Sequence, residues 1–361
     1  MVVARSFLDA LGEGELGAFL DRQRRQSLRE LVCALPFAAQ AHGLELRLAG
    51  ESRQVDYLIC LSDEEATRAS IRALAEEPGG EASRLPYRPF MEAWVATGSR
   101  LRERFPVLWL EYDRPEEGAP SQPGIFIAPA GDLRSDAEQH VLAAALRTLF
   151  DDEGARARRR QLEGVLERLP HGARIRHIGA MPGRDPTLLR LVLEGLTEAS
   201  LPPLLRGIGW PGDVEVCCDL VGRAARRSGV FPHLVDIDFT GSVGPKLGVE
   251  FLLIGASGPR DEGRGLLAWL REEGWCTQEK HDALVPWLSW RTRDWPDMEP
   301  LTFWQKLYHL KLSMRDAVPR APGRSLEVEA KGYWGVWSGP KADTLDELRR
   351  AFQAMTRGGK P

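Results

Sequence analysis

Pairs of strand-like segments, separated by helical segments, are the feature that most constrains the fold of this 361-residue chain. A turn-prone stretch joins the two members of each pair, which is typical of β-hairpins. Hairpins separated by helices predict an antiparallel sheet, whereas single strands alternating with helices would predict a parallel one. The predicted pairs are Gly43–Ala49 with Gln54–Ser62, Pro106–Asp113 with Gly124–Ala128, Ala173–Met181 with Leu188–Leu196, His233–Thr240 with Lys246–Ile254, and Lys306–Arg315 with Leu326–Trp337.

Apolar residues at helical spacing fill the segments around these hairpins. The order helix, strand, strand, helix therefore recurs five times along the chain. The predicted helices include Glu64–Glu77, Ala137–Phe150, Ala155–Leu169, Asp213–Ser228, Glu262–Gly274, Thr277–Trp287 and Thr344–Met355.

Polar and apolar residues alternate along the predicted strands, as Lys246 and Glu250 do with Leu247 and Val249. The helices must cover the apolar faces, so the polar faces must meet water. Closing the sheet removes its two edges and turns the polar faces toward a solvated lumen. The predicted fold class is therefore α+β: a ten-stranded antiparallel barrel with outer helices, as one domain over residues 1–361. The alternative is two separate α+β sandwiches, divided near the helix that contains Arg156, with no common lumen.

The composition of the chain indicates which classes of partner to expect. A net charge of −4, from 48 basic and 52 acidic residues, gives no electrostatic reason to expect a nucleic acid partner. No stretch approaches the run of about 18 apolar residues that a membrane-spanning helix needs, and no secretory signal is recognisable. The five cysteines are scattered without a CxxC pair, which is typical of reduced thiols. We therefore expect a cytoplasmic monomer that binds no membrane.

The five repeated units around a polar-lined antiparallel barrel resemble the ABBA prenyltransferase superfamily, or PT-barrel. This superfamily includes aromatic, indole and ribosomal-peptide (RiPP) prenyltransferases. Lys331-Gly332-Tyr333, on the last predicted strand, is similar to the Lys-x-Tyr pattern with which indole prenyltransferases hold an allylic diphosphate. A second match, Lys306-Leu307-Tyr308, falls on the outward face of its strand by the alternation of side chains.

The resemblance implies a prenyltransferase of natural-product biosynthesis. Its co-substrate would be an isoprenoid (allylic) diphosphate, and its acceptor an aromatic small molecule or a peptide side chain. No cofactor would be required, and Mg²⁺ would be optional, because Arg and Lys side chains can stabilise a departing pyrophosphate by charge.

Basic residues on the predicted inward faces are the candidates for holding that diphosphate. They come from three consecutive hairpins and could converge on one anion. Alternatively, each could pair with an inward carboxylate, such as Glu194, Glu250 or Glu329, in a structural network. The candidate diphosphate-binding residues are Arg174, Arg176, Arg190, Lys246, Lys311, Lys331 and Tyr333.

A carboxylate must also accept the proton that the attacked acceptor loses. Glu111 is the candidate catalytic residue, because it shares a strand face with Trp109 and Asp113. Indole prenyltransferases use a glutamate from an early barrel strand in this role, and here Glu45 and Asp56 compete with Glu111 for it.

Aromatic faces can shield an allyl cation from water and stabilise it by cation–π attraction. Among the tryptophans, Trp109 and Trp337 share the parity of polar inward residues and are candidates to line the pocket. Trp269 and Trp287 fall in helical segments and Trp334 on an outward face, so we assign these three to packing.

Two functions follow from this sequence. The first is a prenyltransferase. The second is a catalytically inactive PT-barrel-like protein that binds a peptide or a metabolite, and the absence of lysine and arginine from the second hairpin favours it.

Overall fold

The computed structural model describes residues 4, 7–8, 16–35, 37–76, 87–113, 122–229, 231–253, 259–289, 291–294, 301–316 and 326–340. Its strands are β1 (Ala41–Arg47), β2 (Val55–Ser62), β3 (Val107–Tyr112), β4 (Gly124–Ala128), β5 (Arg174–Ala180), β6 (Leu189–Glu194), β7 (Leu234–Phe239), β8 (Val243–Leu252), β9 (Arg291–Asp294), β10 (Leu301–Asp316) and β11 (Leu326–Pro340). The α-helices within these ranges are α1 (Arg22–Ala34), α2 (Glu65–Glu76), α3 (Arg88–Val95), α4 (Arg100–Arg104), α5 (Asp136–Leu149), α6 (Asp152–Leu166), α7 (Leu201–Ile208), α8 (Val214–Ser228), α9 (Pro259–Glu272) and α10 (Gln278–Leu284). The predicted helix Thr344–Met355 lies outside the described residues.

The strands form one closed antiparallel barrel. Neighbours follow the order β11-β1-β2-β3-β4-β5-β6-β7-β8-β10, and pairing of β10 with β11 closes the ring. The short strand β9 pairs with the start of β10 outside this ten-stranded ring. The predicted fold class is confirmed, and the alternative of two separate sandwiches is wrong.

All the hairpin connections lie at one end of the barrel. Because every neighbouring pair is antiparallel, the connections after β1, β3, β5, β7 and β10 reach the same end. We call it the hairpin end, and the opposite end, where the connections carry the helices, the helix end. The position of a residue along its strand therefore shows whether its side chain lies near the hairpin end or the helix end of the barrel.

The main apolar core lies between the barrel wall and the helices. Outward residues such as Leu44 and Leu46 on β1 are fully buried there. Trp334 on β11 is also fully buried and meets Trp287 edge-on, with 5.3 Å between ring centroids. Trp269 is buried as well, so the assignment of these three tryptophans to packing is confirmed.

Local signals in the sequence set the helix ends. The carboxylate of Asp213 caps α8 by accepting a hydrogen bond from Val216 N at 3.0 Å. Gly229 ends the same helix with φ of 76°, a left-handed conformation that glycine adopts without a steric penalty. Within the described ranges, no helix has both the length and the apolar character needed to cross a bilayer.

The buried Lys280 side chain connects α10 to the hairpin end of the barrel by hydrogen bonds. Lys280 Nζ donates hydrogen bonds to the carbonyl oxygens of Ser52 at 2.6 Å and Gly50 at 3.0 Å. We expect Lys280→Met to lower the free energy of unfolding by about 1–3 kcal/mol, because these carbonyls lose a charged donor. Urea unfolding measures this loss, and Glu279→Gln on the same helix is the matched control. Equal stability of the two variants would contradict the prediction.

Candidate active site

Polar side chains of the last strand face the barrel lumen together with those of its neighbours. Lys331 lies opposite Lys311 on β10 and Arg47 on β1. Tyr333, two residues along, lies opposite Glu45 on β1. The alternation predicted from sequence therefore brings cations of several strands onto one inner surface.

Glu45 is the centre of the first ion network on this surface. It accepts hydrogen bonds from Lys331 Nζ at 2.7 Å, from the Tyr333 hydroxyl and from Arg47. Arg47 also binds Asp56 Oδ2 at 2.7 Å. Burial acts to raise the pKa of Glu45, but the charges of Lys331 and Arg47 lower it well below its usual value. Glu45 is thus an ionised partner of two cations, and Asp56 binds one of them.

Lys311 is the centre of the second network. Its Nζ lies 2.5 Å from Asp236 Oδ2 and 3.1 Å from Glu250 Oε1. Burial acts to lower the pKa of Lys311, and the two carboxylates more than compensate and raise it. The side chain is 5% exposed, so this is a buried, charged lysine.

Lys246 is the inward cation that carries no hydrogen bond or ion pair within the part of the chain that the structure describes. It is half-buried, and its strand places it near the hairpin end. Burial lowers its pKa to about 7, and repulsion from Lys331, Arg190 and Lys311 acts in the same direction. An unpaired amine that is repelled by three cations marks a place where an anion would be stabilised.

The three predicted arginines have different surroundings. Arg190 is buried near the hairpin end and forms two hydrogen bonds with Asp238, at 2.6 and 2.8 Å. Arg176 is 7% exposed and lies at a β-bulge between Ile175 and His177.

The prediction that Arg174 converges with the lysines is wrong. Arg174 is the first residue of β5 and therefore lies at the helix end, where it binds Glu194 Oε2 at 2.6 Å. Its side chain is 37% exposed there. Strand parity correctly predicted that Arg174 faces inward. Parity carries no information, however, on where along the barrel axis a residue lies.

Glu111 lies near the hairpin end and is 5% exposed. Arg184, in the turn between β5 and β6, binds both Glu111 Oε1 and Asp113. Burial acts to lower the pKa of Arg184, and Glu111 and Asp113 raise it well above its usual value. Sequence reasoning missed Arg184, because a turn residue has no strand parity to indicate which side chains it meets.

The outward assignment of Lys306-Leu307-Tyr308 is wrong. A β-bulge in β10, between Leu307 and His309, shifts the register so that Lys306 lies opposite Gly335. Gly335 has the same parity as Tyr333, so Lys306 is on the inner face of the barrel. A Cβ on Gly335 would lie 2.5 Å from the Tyr308 ring, which shows that this ring rests on the inner surface of β11.

An apolar patch lines the wall opposite Lys246 and Lys311. Phe126, Met181 and Leu188 form a buried cluster separate from the main core, and the half-buried Trp109 packs on it. In the ring of ten strands, β3 lies five places from β8, and β4 lies five places from β10. The lumen thus has a cationic wall and an apolar wall, the latter ending in Glu111. The side chain of Trp337, the other predicted pocket tryptophan, lies outside the described residues.

Solved structures with the same architecture were found by comparison. The 5-dimethylallyl tryptophan synthase of Streptomyces coelicolor, solved in complex with DMASPP and Trp, matches with a TM-score of 0.51 and 17% identity, over 88% of this chain and 91% of that one. AnaPT from Neosartorya fischeri matches with a TM-score of 0.56 and 12% identity, over 95% of this chain and 94% of that one. No protein-family model and no curated protein matches the sequence. The closed barrel and these likenesses show that the chain has the PT-barrel, or ABBA, fold.

Proposed function

We propose that this protein is a prenyltransferase that moves a short isoprenoid from an allylic diphosphate to an aromatic small molecule or a peptide side chain. The observation that carries the proposal is the unpaired Lys246, set beside Lys311, Lys331 and Arg190 on one wall of the lumen. The S. coelicolor structure of the same fold, solved with DMASPP and Trp, supports an isoprenoid diphosphate and an aromatic acceptor.

The cationic wall would hold the diphosphate. Lys246 contributes an amine that forms no ion pair with a described carboxylate and that a bound diphosphate would keep protonated, and Lys311 and Lys331 contribute charges that face their carboxylates. As the allylic C–O bond breaks, these cations stabilise the negative charge that develops on the pyrophosphate. No step of this stabilisation needs a metal ion.

The opposite wall would hold the acceptor. Trp109 and its apolar neighbours offer a surface for an aromatic ring, and Glu111 lies next on the same strand face. Arg184 binds Glu111 Oε1, and Oε2 has no hydrogen-bond partner among the described residues. Oε2 is therefore the atom that can accept the proton which the ring loses after attack on the allyl cation.

Binding of dimethylallyl and geranyl diphosphate, measured by calorimetry with free pyrophosphate as competitor, tests the anion site. We expect Lys246→Met to weaken binding by about 1.5–3 kcal/mol, the range for a hydrogen bond to a charged group. The control is Arg159→Met, which removes a cation from α6 on the outside of the barrel. Equal affinities of both variants and the parent would reject Lys246 as a diphosphate ligand.

A catalytically inactive shell for a peptide or metabolite is the second candidate function. Lys311, Lys331 and Arg190 are each bound by a carboxylate, as a purely structural network would require. Absence of any pyrophosphate-competable binding, together with no transfer to aromatic or peptide acceptors, would favour this shell.

A further inference from the structure

Two carboxyl groups lie side by side on the cationic wall and compete for one lysine. Asp236 Oδ2 and Glu250 Oε1 both contact Lys311 Nζ, at 2.5 and 3.1 Å. A Cβ on Gly248 would lie 2.1 Å from Asp236 Oδ2, so the absence of a side chain there lets Asp236 pack on the backbone of β8. Two buried carboxylates at such short range repel each other, and one lysine cannot neutralise both.

Each carboxyl group has an oxygen atom that could carry a proton. Asp236 Oδ1 is buried and has no hydrogen-bond partner among the described residues. Glu250 Oε2 lies 3.3 Å from His309 Nε2, and the His309 ring stacks on Tyr333 with 4.0 Å between centroids. Burial, with Asp236 acting in the same direction, raises the pKa of Glu250 to about 7 although Lys311 opposes it.

We propose that Asp236 and Glu250 share one proton beside the diphosphate site, and that this proton moves to the departing pyrophosphate. The inference rests on the proposed function and adds a proton donor to it. When the allylic C–O bond breaks, its electron pair stays on the pyrophosphate oxygen, which takes the carboxyl proton. The pair is left as two carboxylates held by Lys311. The acceptor ring then forms its bond to the allyl cation and loses a proton to Glu111.

The surroundings of the pair decide whether its proton is retained. Burial and Asp238 act to raise the pKa of Asp236, but Lys311 and Arg190 lower it below its usual value, so the proton of the pair resides on Glu250. His309 is neutral at pH 7, since burial and Lys311 lower its pKa to about 3, so it can accept a hydrogen bond from a protonated Glu250. The titratable and charged groups around the pair are Glu45, His177, Arg190, His233, Asp238, Lys246, His309, Lys311, Lys331 and Tyr333.

Proton uptake on pyrophosphate binding tests the shared proton. Calorimetry at pH 7 in two buffers of different ionisation enthalpy gives the number of protons taken up. Because Lys246 also titrates near pH 7, the measurement uses Lys246→Arg, whose guanidinium stays charged. Pyrophosphate itself titrates near neutral pH and contributes to both proteins, so the readout is the difference between them: we expect an uptake about half a proton larger in this variant, from the half-protonated pair, than when Glu250→Gln is added. The matched control adds Glu194→Gln at the helix end and keeps the uptake.

The rate of pyrophosphate release from dimethylallyl diphosphate gives the second readout. In the same Lys246→Arg background we expect a rate that falls as the pH rises above about 7, where the pair loses its proton. Adding Glu250→Gln to Lys246→Arg should lower the rate about a hundredfold at pH 7, the low end of general acid catalysis, and should remove that fall. Pyrophosphate binding without Glu250-dependent uptake would overturn the shared proton alone. Absence of pyrophosphate binding by the parent would overturn the anion site, and the proposed function with it.

Discussion

Replacement of Arg47 by leucine is expected to lower the free energy of unfolding by about 3–5 kcal/mol, the range for breaking a buried ion pair from one side. The Arg47 side chain is 11% exposed and binds Glu45, Asp56 Oδ2 at 2.7 Å and Glu329 Oε1 at 2.9 Å. Its removal takes the Arg47 guanidinium away from Asp56, which is fully buried. Lys331 still neutralises Glu45, so most of the loss in stability comes from the missing Arg47–Asp56 ion pair.

The same network makes stability depend on pH in a defined direction. Lys331 and Arg47 lower the pKa of Glu45 in the folded protein below the unfolded value of 4.5. The stabilisation is therefore complete above about pH 4.5 and is lost as the pH falls toward the lower folded pKa. We expect Arg47→Leu to lose less stability than the parent between pH 5 and about pH 3.

Urea unfolding at pH 7 and at lower pH measures both effects. Arg315→Leu is the matched control, because Arg315 and its partner Glu327 are 60% and 57% exposed. An exposed pair of this kind contributes about 0–1 kcal/mol. Equal stability of Arg47→Leu and Arg315→Leu at pH 7 would contradict the conclusion that the buried ion network stabilises the fold.

The architecture could be predicted because strands and helices leave different periods in a sequence. The β4 strand begins and ends where the alternation of apolar residues predicted, at Gly124 and Ala128, and the end of β2 at Ser62 was also correct. No bounds were predicted for the helices α1, α3, α4 and α7, and β9 was not predicted. Side-chain parity, which has a period of two, placed Lys246, Lys311, Lys331 and Glu111 on the inner face.

Two kinds of information were absent from the sequence pattern. A β-bulge adds one residue and reverses parity beyond it, which is why Tyr308 was assigned to the wrong face. Position along the barrel axis depends on strand register, which is why Arg174 was grouped with residues of the opposite end. Arg184 could not be predicted, because its contacts depend on how the turn between β5 and β6 folds over β3.

Glu111→Gln is expected to reduce the rate of prenyl transfer by at least about a hundredfold, because an amide cannot accept the acceptor's proton. Its amide oxygen can still accept a hydrogen bond from Arg184, which also keeps Asp113 as a partner. We therefore expect a normally folded protein that binds dimethylallyl diphosphate as tightly as the parent. Single-turnover rates and calorimetry on the same preparations separate the two effects.

Asp113→Asn is the matched control for this prediction. Asp113 binds the same guanidinium as Glu111 but lies at the end of β3, with a side chain that is 15% exposed. If the Arg184 network matters only for structure, both variants should slow transfer equally. If Glu111 accepts the proton, Asp113→Asn should lose less than about tenfold while Glu111→Gln loses about a hundredfold or more. An unchanged rate in Glu111→Gln would transfer the role to Glu45 or Asp56, although both already serve the cations Lys331 and Arg47.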